Sequence, residues 1–262
     1  PGPFPSPLPP PGGSPEVPLV LTRPRSGLRW ALLVPPYGGI NAQGHPGLYT
    51  LHQAMLRRAG FGVALVTMPY HGLRAMKGFP SGWGFVRADL GATSRALASA
   101  AADVTAMTRY LREQEGATTV VGLGISLGGA ALGLAMAQGA PVDAGAFLAA
   151  VDNPASFYAT GQNREARRRT LAAAGVTNGM VAEAFRPFSP STYPAPVPGN
   201  RLFYAIPPHD LVVPASWQRA WRERWDGREV PAALHAHASA IASPGIAQRL
   251  SRDLAAAVST GR

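Results

Sequence analysis

The chain has 262 residues, 46% of them hydrophobic and only 15% charged, which suffices for one domain with a continuous core and is unlike a disordered chain. Its formal charge of +10 comes almost wholly from scattered arginines, with Lys77 the only lysine, and no basic stripe interleaves with aromatic residues, so no nucleic-acid partner is expected. There is no cysteine, which excludes a thiolate nucleophile, a disulfide framework and a Cys-based zinc site.

Residues 1–16, PGPFPSPLPPPGGSPE, are too rich in proline for a helix or a central strand and read as an arm or linker. From Val17 onward, apolar β-rich runs alternate with helical patterns: VPLVLT, LRWALLV, a helix from Pro46 to Ala59, and then FGVALVT. A long helix follows from Val86 to Gln114, with Leu90, Leu97, Ala101, Val104 and Leu111 on one face. Strand TTVVGLG, a helix from Leu127 to Gln138, strand AGAFLAAV, a mixed helical stretch over 154–188, strand NRLFYAI and a closing helix, strand and helix complete the chain. This rhythm predicts one α/β domain over 17–262, its mostly parallel sheet covered by helices on both faces and its chemistry at the carboxyl ends of the strands.

Segment 154–198 has no strand partner in that scheme and ends in the proline-rich PFSPSTYPAPVP. It is predicted as an insertion over the sheet edge, a lid, with an extra structural helix pair as the alternative. No apolar run reaches the roughly 20 residues of a membrane-spanning helix, so stable membrane insertion is not expected. The chain begins at Pro1 rather than Met; a cytoplasmic protein is the expectation, with secretion left open. Oligomeric state has no signature here.

The chemistry centres on TTVVGLGISLGGAALGLAMA. Gly124, Ile125, Ser126, Leu127 and Gly128 form a G-x-S-x-G pattern between a β-branched run and an Ala/Leu helix. A serine on so tight a turn takes a strained backbone conformation, and Gly124 and Gly128 supply clearance where strand and helix approach. The turn sets Ser126 at a helix N-terminus, where the Leu127 N–H can face a developing oxyanion. The plain alternative is an ordinary N-cap serine.

At these residues the sequence resembles the α/β-hydrolase superfamily, from Val17 to the C-terminus. The resemblance implies a serine nucleophile followed in chain order by an acid and a histidine. Asp210, in PPHDLVVP past strand NRLFYAI, matches the acid position; Asp152, in LAAVDNP, is the runner-up, and an Asx turn is the structural reading of either. His237 is the preferred base, because His237, Ala238, Ser239 and Ala240 are similar to the His-x-Ser-Ala run that follows the last strand in some relatives. His235 is expected to belong to that strand. The second oxyanion donor is expected from PPYGGINAQGH, where Tyr37, Gly38 and Gly39 stand in place of a His-Gly-Gly, so the backbone N–H of Tyr37 or Gly38 is the candidate. His71, in TMPYHGLR, and Trp83 are candidates for the pocket, as are the aromatic residues Phe85, Phe157, Tyr158 and Phe185. His45, His52 and His209 read as structural or surface histidines.

A narrower resemblance rests on three short pieces, the Pro-Pro loop, PYHGLR, and GISLGG with the late His-x-Ser-Ala. These are similar to the α/β-hydrolase domain-containing protein eighteen family, which implies the same triad placement and no established substrate. The superfamily resemblance implies a serine hydrolase acting on a small-molecule carboxylic ester or related acyl substrate, with no cofactor. No H-E-x-x-H is present and the His235/His237 pair has no carboxylate close behind it, so no catalytic metal is expected. An acyltransferase or cofactor-free haloperoxidase on the same triad, and a non-catalytic binding protein of this fold, are the rival readings.

Overall fold

The computed structural model describes residues 2–10, 12–38, 49–159 and 164–259. His45 and Gly39, and the Pro46–Leu48 start expected for the first helix, lie outside them. Strands β1 (Phe4–Pro5) and β2 (Glu16–Val17) pair antiparallel as a small ladder of their own. Seven further strands form the main sheet: β3 (Val20–Thr22), β4 (Arg29–Val34), β5 (Gly62–Leu65), β6 (Thr119–Ile125), β7 (Ala144–Leu148), β8 (Leu202–Ala205) and β9 (Arg228–Val230). Their order is β3-β5-β4-β6-β7-β8-β9, parallel throughout except where edge strand β3 runs antiparallel to β5.

The central strands are apolar on both faces because helices cover both, as a parallel sheet requires. Helix α1 (Tyr49–Arg58) follows β4, α2 (Leu90–Glu113) follows β5, and α3 (Leu127–Ala137) follows β6 directly. Short helices α4 (Ser156–Ala159), α5 (Arg164–Ala173) and α6 (Asn178–Phe185) stand between β7 and β8, α7 (Ala215–Arg224) between β8 and β9, and α8 (His237–Ile241) and α9 (Pro244–Ala257) after β9. Side chains alternate across β4: Trp30, Leu32 and Val34 pack with α2 and α3, whereas Ala31 and Leu33 pack with α1 and α9. Helix α3 is buried all round, which its lack of any charged residue permits.

Two sequence expectations shift for local reasons. Helix α2 begins at Leu90, not Val86, because Asp89 is its N-cap and its side chain accepts the Ala92 N–H at 3.0 Å. Strand β9 ends at Val230, before Pro231, whose missing N–H cannot continue a ladder; His235 is therefore not a strand residue but lies just past a turn.

The proline-rich arm is tied into the body by polar contacts. Arg74 Nη1 donates to Asp103 Oδ2 at 2.6 Å, with both side chains wholly buried. The Ser6 hydroxyl donates to the other oxygen of Asp103 at 2.6 Å, and Arg74 also donates to the Thr67 carbonyl. A buried pair with these additional bonds offsets its desolvation, and loss of either partner would leave an uncompensated charge. Among the described residues no helix is long and apolar enough to cross a membrane.

Candidate active site

Ser126 occupies the single residue between β6 and α3, with φ 51° and ψ −116°. That left-handed φ is strained for a residue with a Cβ. The turn is forced by close packing. A Cβ on Gly124 would come within 2.7 Å of the Gly129 Cα, and one on Gly128 would overlap the Val34 and Pro35 carbonyl oxygens. The first turn of α3 thus lies against the ends of both β6 and β4, and only glycine fits at these two points. Leu127, first in α3, has no intrahelical acceptor for its N–H, and that donor stands beside the serine at the positive end of the helix. The Ser126 carbonyl is held by the N–H groups of Gly129 at 2.9 Å and Val151 at 3.1 Å.

Three side chains far apart in sequence meet here. The Ser126 hydroxyl lies 3.1 Å from His237 Nε2, and His237 Nδ1 lies 2.8 Å from Asp210 Oδ2. A carboxylate accepts, so Nδ1 carries the hydrogen and Nε2 is left as the acceptor for the serine O–H. Asp210 follows β8 and its side chain is wholly buried, while that of His237 is 15% exposed. The carboxylate is satisfied from several sides. Oδ1 accepts the N–H groups of Val212 at 2.8 Å and Val213 at 2.7 Å, and Oδ2 accepts from the Gln218 amide at 3.2 Å. Gln218, buried on α7, donates also to the Val213 carbonyl at 2.8 Å. No motif points to it, since a glutamine on an amphipathic helix reads as a surface residue.

His237 is the first residue of α8. Its helix is held by buried His52 of α1, on the same face of the sheet, whose Nε2–H donates to the Ile241 carbonyl at 2.8 Å; burial lowers the His52 pKa and this bond opposes the shift. His235 makes no hydrogen bond to Ser126 or Asp210; its carbonyl accepts the His209 N–H at 3.4 Å, and His209 itself is exposed. Asp152 is engaged elsewhere, accepting the Ser191 hydroxyl at 2.6 Å and the Ser191 N–H at 3.0 Å. Burial raises its pKa against those two bonds.

Tyr37 and Gly38 form a turn after β4, with Gly38 at φ 66°. Their N–H groups meet no acceptor among the described residues. The Tyr37 ring stands edge-on to the His71 imidazole, with centroids 5.6 Å apart, and Phe85 flanks the imidazole at the same distance. Burial pushes the Tyr37 phenol up, opposed by the Arg167 guanidinium of α5. His71 is wholly buried; its Nδ1–H donates to the Pro69 carbonyl at 2.8 Å, and its Nε2 has no hydrogen-bond partner among the described residues. Burial lowers its pKa to about 4, with the Pro69 bond opposing and Arg74 reinforcing the shift. Trp83, half exposed, stacks on Phe79 at 5.9 Å rather than on His71. Tyr158 and Phe185 are consumed by packing: they stack on each other at 5.5 Å, and the Tyr158 hydroxyl donates to the Arg87 carbonyl at 2.6 Å. Among the described residues no group of three His, Asp or Glu could hold a metal.

A mostly parallel sheet in this order, with a serine on a strained turn after its central strand, defines the α/β-hydrolase fold, and the chain has that fold. Solved structures of similar fold include TT1662 from Thermus thermophilus, at 15% identity and TM-score 0.70, covering 94% of each chain. Est1E from Butyrivibrio proteoclasticus, with ferulic acid bound, is 13% identical at TM-score 0.60, covering 91% of this chain and 93% of that one. An acetyl xylan esterase from Paenibacillus sp. R4 is 14% identical at TM-score 0.59, covering 85% and 74%. No protein-family model and no curated protein matches the chain, and the narrower family suggested by the Pro-Pro loop, PYHGLR and GISLGG with the late His-x-Ser-Ala is not supported.

Proposed function

We propose that the protein is a serine hydrolase that cleaves a carboxylic ester or related acyl compound through an acyl-Ser126 intermediate. The observation that carries this reading is the unbroken line from Asp210 through His237 to Ser126, with separations of 2.8 Å and 3.1 Å, ending on a serine held at a positive φ. An ordinary N-cap serine would adopt a negative φ and would bond its own helix; Ser126 makes no side-chain cap bond. Esterases among the solved structures of the same fold support the assignment.

In this reading the Ser126 Oγ attacks the substrate carbonyl carbon while its proton passes to His237 Nε2. Asp210 fixes the tautomer and stabilises the imidazolium without taking the proton itself. The Leu127 N–H and that of Tyr37 or Gly38 are assigned to the oxyanion. Collapse of the tetrahedral intermediate breaks the ester C–O bond, and His237 returns the proton to the departing alkoxide. Water, deprotonated by the same imidazole, then attacks the acyl carbon, releasing the acid and restoring the serine O–H. Segment 154–198 is assigned as a cap over the acyl pocket, with Trp83 at its rim.

A fluorophosphonate probe tests this directly: wild type is labelled and Ser126→Ala is not. Folded wild type that resists labelling would make the chain a non-catalytic binding protein. Product analysis with water, an alcohol and peroxide as competing acceptors then separates hydrolysis from acyl transfer and perhydrolysis.

A further inference from the structure

Among the described residues, most of the large apolar side chains left in solvent stand on loops following the carboxyl ends of the parallel strands. Leu73 (77% exposed), Phe79 (45%) and Trp83 (48%) come after β5, Tyr37 (46%) after β4, Leu211 (87%) after β8 and Leu234 (91%) after β9. In a parallel sheet these loops leave by one edge, so the residues flank Ser126 on both sides. Single exposed apolar residues need no explanation, but a collection on one edge does. Phe79 and Trp83 stack on each other and remain about half exposed. The bond between His209 and the His235 carbonyl joins the Leu211 loop to the Leu234 loop.

The spread of these groups says what kind of partner fits. The sheet order sets five strand intervals between β5 and β9, which at about 4.8 Å each span roughly 24 Å. A small ester cannot cover both wings at once, whereas an extended apolar surface can. Charge selects its sign. Helix α5, in the insertion on this edge, carries exposed Arg164, Arg168 and Arg169 against a single acidic residue, Glu165, which pairs with the first two, while Arg167 is turned to the Phe157 carbonyl and the Tyr158 ring. The Arg164 and Arg168 side chains are about half exposed.

We infer that this edge of the molecule docks reversibly on an anionic lipid surface, its apolar collar entering the acyl boundary and the α5 arginines meeting the headgroups. Such contact lies in the plane of the interface and requires no spanning helix. It goes beyond the hydrolase reading and is independent of turnover, so it can be measured on Ser126→Ala as well as on wild type.

The full chain is floated with vesicles of phosphatidylcholine, alone or mixed with phosphatidylglycerol. Partition onto the mixed vesicles is expected to exceed that onto phosphatidylcholine by about tenfold or more and to fall with added salt. Combining Leu73→Ser, Phe79→Ser and Leu234→Ser, all at exposed positions, should weaken it by roughly a hundredfold while lowering the thermal melt by only about 2–4 °C, from the lost Phe79–Trp83 stack. Arg168→Glu with Arg169→Glu should abolish the preference for the mixed vesicles. Wild type that floats with neither vesicle, or a triple-serine variant that floats like wild type, overturns the inference. Equal partition onto both vesicles refutes its anionic half. Dimerisation in solution that the triple variant abolishes, without flotation, would assign the collar to a second copy of the chain instead.

Discussion

Replacing His71 by Asn removes a titrating ring from the wall behind the Tyr37 turn, and the effect should be visible in the pH dependence of stability. The imidazole is wholly buried between two aromatic rings, and desolvation holds its pKa at about 4 against about 6.5 in an unfolded chain. Between those values the unfolded state binds the extra proton, so stability falls as pH falls. The contribution of the neutral ring is complete above the unfolded value and is lost as pH drops through the folded one. The displacement corresponds to about 3 kcal/mol over the whole window, of which about 2 kcal/mol falls between about pH 7 and pH 5. His71→Asn keeps an N–H that can serve the Pro69 carbonyl but leaves space where the ring was, so its absolute stability will be lower at every pH. The informative quantity is therefore the difference between the two pH values. Urea unfolding at constant ionic strength should show wild type losing about 2 kcal/mol more than His71→Asn on going from about pH 7 to pH 5. Parallel losses in the two proteins would mean that the ring titrates alike in the folded and unfolded states, and the buried neutral imidazole would be refuted.

Three further outcomes follow from the site. Asp210→Asn should keep the fold, since an amide can replace most of the bonds at that position, but should lower kcat by about 10⁴ because the imidazole loses its required tautomer; a drop below tenfold in steady-state ester hydrolysis would remove Asp210 from the mechanism. His237→Ala should abolish acyl transfer while His235→Ala largely spares it, and the reverse ranking in the same assay would exchange their roles. Ser126→Gly should be more stable than Ser126→Ala by about 1 kcal/mol in thermal or urea unfolding, because glycine alone accepts this φ without strain; equal stabilities would deny that the turn stores strain.

What the sequence made legible was the order of elements and the chain positions where strands hand over to loops. Ser126, Asp210 and the His235/His237 pair all stand at such handovers, and the alternation of β-branched runs with Ala/Leu helices is strong enough to find them. The choice between the two histidines was not fixed by periodicity, because AALHAHASA offers none. It turns on Pro231, which follows β9 directly and cannot continue its ladder, leaving His235 in the loop and His237 as the first residue of α8. Partners set by the fold rather than by a motif were invisible: Gln218 reaches Asp210 from only eight residues on, and His52 meets Ile241 across 189. The same holds for Arg74 and Asp103, which no motif links and which are fully buried together.

The three central side chains are held with unequal firmness, and the inequality suits the chemistry proposed for them. Asp210 accepts from two backbone N–H groups, Gln218 and His237, so its position is over-determined. Ser126 is fixed by its backbone, with its carbonyl gripped from two sides and its neighbours packed against glycine. His237 has one strong anchor, at Nδ1, and a partly exposed ring on the first residue of a five-residue helix. A group that must take a proton from the serine and deliver it to a leaving oxygen on the other side of the reacting carbon needs that small freedom of rotation about a fixed hydrogen bond. A nucleophile and a carboxylate need the opposite, because any movement of theirs would be paid for in misalignment at the moment of attack.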